Sequence, residues 1–259
     1  MRENRWLSTG LLTAGLLAGI AAHAAAADQQ FLLTQQETGV RSFFTLDFGP
    51  FGQTEGEVSN TRFLLKLDRT NNTAEFLKYR QDIDSLTLPG GFETGDIIVT
   101  VVPGSSAGVF DPATGEFETQ EEYLIFFEGD LSKFGIVSPI SLPSTSRGTV
   151  TFDTPRNGGV VQTWEGEGIL QNPFNPNEPL VFTYTCQVGS LHNQVDRGDL
   201  NCDGVINALD IEPFMQALYD PEGYDTMFEV CDLILGDFDQ SGAVDALDIE
   251  GFLEALFAE

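Results

Sequence analysis

Two stretches near the end of the chain space oxygen-bearing side chains in the same way. GDLNCDGVINALD spans 198–210 and GDFDQSGAVDALD spans 236–248. Counted from Asp199, position 3 is Asn201, position 5 Asp203, position 9 Asn207 and position 12 Asp210. Counted from Asp237, the same places hold Asp239, Ser241, Asp245 and Asp248. A hard cation such as Ca²⁺ takes six to eight oxygens at about 2.3–2.6 Å. A twelve-residue loop supplies them from positions 1, 3, 5, 7, 9 and 12, with glycine at 6 for the sharp turn. Gly204 and Gly242 stand at position 6, and the carbonyls of Val205 and Ala243 would serve at 7. Ile206 and Val244 occupy position 8, where an apolar side chain is expected to turn into a core. Asp/Asn-rich turns use the same residue types. Two loops in one register, each with glycine at 6, read instead as two calcium cages. Mg²⁺ fits less well, because it tolerates crowded carboxylate cages poorly.

The elements that position these loops repeat with them. An offset of 38 residues aligns Gly198 with Gly236, Leu209 with Leu247, Ile211 with Ile249, Phe214 with Phe252 and Leu218 with Leu256. Leu209, Ile211, Phe214 and Leu218, and their counterparts, approximate the stripe of an amphipathic helix. Each unit is therefore an acidic loop followed by a helix, and the two helices are expected to pack face to face. Pro213 stands where the second copy has Gly251, so a kink is expected in the first helix.

At these residues the chain resembles a type I dockerin. The resemblance covers 198–259 and nothing upstream. It implies two bound calcium ions and docking onto a cohesin-like or other surface or scaffold protein. In that family such modules attach secreted proteins, often polysaccharide-degrading enzymes, to a scaffold or cell surface. Asp at position 12 fits the family better than ordinary EF-hands. Ala208-Leu209 and Ala246-Leu247 stand where the family often has Ser/Thr before the last ligand. Met215-Gln216 and Leu253-Glu254 stand where it often has Lys/Arg. The calcium ligands carry over; a particular cohesin partner does not.

The charge is very acidic, with 12 Lys+Arg against 40 Asp+Glu and a net of −28. That field repels phosphate backbones and argues against nucleic acid as a partner. After Arg197 there are 16 acids and no Lys or Arg. Residues 1–27 read as an export signal: Arg2 and Arg5, an apolar run, then small residues to Ala27, with Ala24 the alternative cleavage point. No later stretch approaches the roughly 20 apolar residues of a membrane span, so a secreted or cell-surface protein is expected. His192 is the one histidine beyond the signal, which disfavours a multi-histidine metal site. Cys202 and Cys231 are expected to pair, leaving Cys186 over, because Cys202 is at a non-ligand loop position and Cys231 lies between the two units.

Residues 28–190 read as a mainly β domain, an antiparallel sandwich or barrel. FFTLDF (43–48), TRFLLKLD (61–68), TAEFLKYR (73–80), DIIVTVVP (96–103), EYLIFFEG (122–129), GTVTFD (148–153), VVQTWEG (160–166) and LVFTYTCQV (180–188) alternate with turn signals. Residues 191–197 read as a linker, so the tail is expected to fold separately. Glu165 and Glu167 share a strand face, and paired carboxylates can hydrolyse glycosides, but such a pair is more often a solvated face. Glu121 and Glu122 lie on opposite faces. Trp164, Phe174 and Tyr184 could stack on sugar rings or serve as core, and Asp111 and Glu116 bracket a hairpin turn. The expected function is therefore an exported calcium-binding protein that docks a β-rich domain, which itself could contact carbohydrate, onto a partner. An extracellular glycoside hydrolase and a structural envelope component are the alternatives.

Overall fold

The computed structural model describes residues 29–37 and 41–258; residues 1–27, which read as an export signal, lie outside them. The strands are β1 (Gln29–Gln36), β2 (Phe43–Asp47), β3 (Gln53–Asp68), β4 (Thr73–Ile83), β5 (Thr87–Leu88), β6 (Phe92–Glu93), β7 (Ile97–Val101), β8 (Ala107–Phe110), β9 (Glu116–Phe127), β10 (Ile140–Phe152), β11 (Asn157–Leu170) and β12 (Leu180–Val195). All but β5 and β6 belong to one antiparallel sheet that closes on itself. β3 and β4 pair through Val58–Asp68, and the circuit returns through β9, β10, β11 and β12. β7 and β8 share the place between β4 and β9, and β1 and β2 the place between β12 and β3. The result is a barrel of eight strand positions, a size whose interior side chains can fill.

Period-two alternation decides what enters the barrel. Phe63, Leu65 and Leu67 of β3 point inward and meet Phe76 and Tyr79 of β4. Tyr79, Tyr123, Trp164 and Phe44 then form a chain of ring contacts across the interior, at 5.0, 5.0 and 5.4 Å. Gln162 Nε2 donates to Tyr79 Oη across the barrel at 3.0 Å. Leu86 and Leu88 join the same core from the stretch between β4 and β6, and Leu131 and Phe134 from the connection between β9 and β10. Strands β1, β3 before residue 61, β8 and the first half of β10 are longer or newer than the residue pattern suggested. In β3 before residue 61 the outward positions are Gln53, Glu55, Glu57 and Ser59, and in the first half of β10 Ser141 and Thr145 face out, residues that read as loop.

The tail forms α1 (Ile211–Tyr219), α2 (Pro221–Met227) and α3 (Asp248–Leu256). Phe214 and Phe252, equivalent under the 38-residue offset, stack at 4.1 Å and 2° between planes, so α1 and α3 do meet face to face. Pro213 is buried in the first turn of α1. A helix's first N–H groups have no intrahelical acceptor, so this proline removes no bond, and the expected kink loses its reason. Gly251 is small for a packing reason: a Cβ there would lie 2.7 Å from Phe238 Cβ. The expected helix stripe is also corrected. Phe214 and Ala217 are buried, whereas Leu209, Ile211, Leu247 and Ile249 are exposed.

The expected linker at 191–197 is not one. Leu191–Val195 continue β12 and pair with β1, and His192 points inward with a ring nitrogen 2.8 Å from Thr151 O. The reason lies on the barrel's outer face. Phe31, Leu64 and Val195 point outward, and Leu235 of the tail covers them. Tail and barrel thus share a small apolar core. No helix among the described residues is long and apolar enough to cross a membrane.

Candidate functional site

The two acidic loops follow the same backbone path. Position 4 is left-handed in both, Cys202 at φ 55° and Gln240 at φ 60°. Gly204 and Gly242 at position 6 have φ 92° and 93°, a region that glycine enters without steric cost. The carboxylate at position 1 accepts from the N–H groups of positions 5 and 6. For Asp199 these are Asp203 at 3.1 Å and Gly204 at 2.9 Å; for Asp237 they are Ser241 at 3.0 Å and Gly242 at 2.9 Å.

The carboxylate at position 12 binds the loop to itself. Asp210 accepts from Leu200 N at 2.9 Å, Asn201 N at 3.1 Å and Asn207 N at 2.8 Å. Asp248 accepts from Phe238 N at 2.7 Å, Asp239 N at 3.1 Å and Asp245 N at 2.8 Å. These bonds wrap positions 2, 3 and 9 around the position 12 carboxylate. Position 3 accepts from position 5, through Asn201 Oδ1 at 2.9 Å and Asp239 Oδ1 at 3.0 Å. Asn207 and Asp245 at position 9 accept from Leu209 N and Leu247 N, which starts each helix. The position 7 carbonyls face inward to the loop: Val205 O accepts from Asn207 Nδ2 at 3.2 Å and Ala243 O from Ser241 Oγ at 3.2 Å.

Electrostatics make these loops costly as they stand. Asp199, Asp210, Asp237 and Asp248 are all buried. Oxygens of Asp237, Asp239 and Asp248 lie within 4.8 Å of one another. In the first loop Asn201 replaces one acid, so its charge is lower. None of these four carboxylates hydrogen-bonds a Lys or Arg side chain; their partners are backbone N–H groups. Burial, with the nearby charges of Asp210 and Asp203, pushes the Asp199 carboxyl up to about 6 against the pull of its N–H bonds. Buried carboxylates need a paired charge. The donor set, with side-chain oxygens at positions 1, 3, 5, 9 and 12 and a carbonyl at 7, suits a hard divalent cation.

The expected disulfide is present. Cys202 and Cys231 are bonded, with Cα atoms 6.0 Å apart, and Cys186 is free and buried. The bridge ties the first loop to the connection between repeats. There α2 also packs: Tyr224 is buried and donates to Leu200 O at 2.8 Å. This helix was missed, although Asp220 before Pro221 is a readable start. The Asp220 side chain accepts from Gly223 N, and proline suits the first helical place.

The barrel's candidates separate cleanly. Trp164 and Tyr184 are core residues, and Phe174 is 54% exposed in its turn, stacked at 6.4 Å on Phe51. Glu165 and Glu167 are both exposed on the outer face, and Arg147 pairs with Glu165 and Glu118. Asp111 and Glu116 close the turn between β8 and β9, beside an open groove of about 810 Å³. Glu121 is the surprise: it faces the barrel interior, 4% exposed, with Ser146 Oγ on one oxygen and no partner on the other. Its inward position was legible from alternation, but its burial was not, because the residue pattern does not show that the sheet closes.

No protein-family model matches the chain, and no curated protein is significantly similar to it.

Proposed function

We propose that residues 198–258 form a calcium-folded docking module of dockerin type, which mounts the β-barrel on a protein partner outside the cell. The observation that supports this most is the duplicated loop path: left-handed position 4, glycine at 6, and matched carboxylate bonds at positions 1 and 12. One calcium would be held by Asp199, Asn201, Asp203, Val205 O, Asn207 and Asp210. The other would be held by Asp237, Asp239, Ser241, Ala243 O, Asp245 and Asp248. Calcium supplies positive charge to Asp199 and Asp210, and adds to that of Arg197 near Asp237 and Asp248.

Docking is supported by what the helices leave uncovered. Ile211, Met215 and Tyr219 form an exposed row on α1, and Ile249, Leu253 and Phe257 form the equivalent row at α3. Large exposed apolar rows usually mark interaction surfaces. Glu212, Glu250 and Glu254 flank them, so the partner presents an apolar patch with basic groups at its rim. Export agrees with the Cys202–Cys231 bridge, because disulfides persist in oxidising compartments. The test is binding of the full chain to fractionated envelope proteins of its own cell. Retention in calcium, loss in chelator and loss with Leu253→Asp, but not with Val137→Asp on the barrel, is the expected pattern. Equal retention under all four conditions would refute docking through this surface.

A second reading concerns the barrel, as a carbohydrate contact. The exposed near-parallel pair of Phe51 and Phe174 favours it. Phe174→Ala is expected to abolish retention on insoluble polysaccharide if the pair is a sugar platform, and unchanged retention would remove the idea.

A further inference from the structure

Arg197 is the last basic residue in the sequence, and it stands where β12 ends and the first loop begins. Its guanidinium reaches both halves of the molecule. Nη1 donates to the carbonyls of Ile234 and Asp237 in the tail. Nη2 donates to Gln29 Oε1 of β1 at 3.1 Å, and the group lies 5.3 Å above the Phe31 ring, also on β1. Asp237 is position 1 of the second loop. Beneath this contact Phe31, Leu64, Val195 and Leu235 are buried together, and Gly198 N donates to Leu235 O at 2.8 Å. Lys78 of β4 binds Asp225 at 2.9 Å and Arg80 binds Glu229 at 3.4 Å, so barrel cations also hold α2 and the segment after it.

We propose that Arg197 couples the second acidic loop to β1, so that cation binding at 237–248 stabilises the barrel seam as well as the tail. The inference rests on the calcium reading above. Asp237 O and Ile234 O face Arg197 only while residues 234–239 keep their path. The carboxylates of Asp237, Asp239 and Asp248 repel one another, and the single charge of Arg197 near Asp237 and Asp248 does not balance all three, so they oppose that path until a further cation neutralises them. When the path is lost, Arg197 loses two acceptors, and its hold on Gln29 and Phe31 weakens. β1 is the sensitive element, because it lies between β12 and β3 and its outward Phe31 is covered by the tail. Arg197 is therefore a positioning residue rather than a ligand.

Hydrogen exchange on the full chain, read by mass spectrometry together with a calorimetric calcium titration, tests this. In the wild type, calcium is expected to slow exchange of residues 29–36 about tenfold, a factor that corresponds to ~1.4 kcal/mol, while the β9–β10 pair exchanges alike in calcium and chelator. Arg197→Met should still bind calcium but show fast β1 exchange in both conditions, and Arg197→Lys should recover part of the response. Should Arg197→Met fail to fold, Asp248→Asn serves instead, with β1 exchange no longer answering to calcium. Calcium bound at both loops with wild-type β1 exchange unchanged would overturn the coupling and leave the calcium reading intact. No calcium binding at all would overturn both.

Discussion

Asp210→Asn is the sharpest perturbation of the first loop. The change keeps shape and removes charge. Asp210 accepts three backbone N–H bonds, two on one oxygen and one, from Asn207, on the other. An asparagine can keep its carbonyl on Leu200 N and Asn201 N, but its NH₂ then faces the Asn207 N–H, donor against donor. The loss of one bond to a charged group costs about 1.5–3 kcal/mol. The upper end is trimmed, because removing this charge also relieves Asp199, which Asp210 helps push up. That is the effect expected in chelator. In calcium at 100-fold above Kd a further ~2.7 kcal/mol of binding stabilisation is lost, giving about 4–5 kcal/mol in all. Urea unfolding of wild type and variant, followed by far-ultraviolet circular dichroism with and without calcium, separates the two contributions. Equal destabilisation in calcium and chelator would refute a cation in this loop. No destabilisation in chelator would refute the hydrogen-bond role.

Other outcomes follow from the same structure. Burial raises the Glu121 carboxyl above its usual range. Its stabilising contribution is thus full below the unfolded pKa and is lost as pH rises through the folded one. Glu121→Gln should then be more stable than wild type at about pH 7 and converge with it near pH 4, and equal midpoints at neutral pH would contradict this. Burial also pushes the Cys186 thiol up, so native protein should not react with a thiol reagent and denatured, unreduced protein should release one thiol; native reactivity would show the barrel to be open. Phe214→Ala removes one ring of the stacked pair between α1 and α3 and is expected to cost about 3–5 kcal/mol of tail stability, measurable by the same urea curves, with a loss under 1 kcal/mol counting against the packing.

Much of the site could be read from residue spacing, because each loop is local. Positions 1, 6 and 12 fall within a dozen residues, and glycine, Asp and Asn declare their roles through backbone geometry. The strands could be read where both faces alternate, as in 61–68. What could not be read is what depends on closure and docking. Polar outward residues hide the start of β3, the glutamines at both ends of β1 hide that strand, and a polar 191–197 reads as a linker although 191–195 pair with β1. Leu64 carried the missing signal. It is apolar on the outward face of a strand whose other outward residues are Arg62, Lys66 and Asp68, and the tail is what covers it. The helix stripes misled for a related reason: α1 and α3 are apolar on two adjacent faces, and only one is used within the chain.

The most direct test of the whole account is a calorimetric titration of calcium into the calcium-stripped full chain. Two ions per chain are expected, and one when Asp248→Asn disables the second loop. A chain that takes up no calcium, or a variant that still takes up two ions, would contradict it.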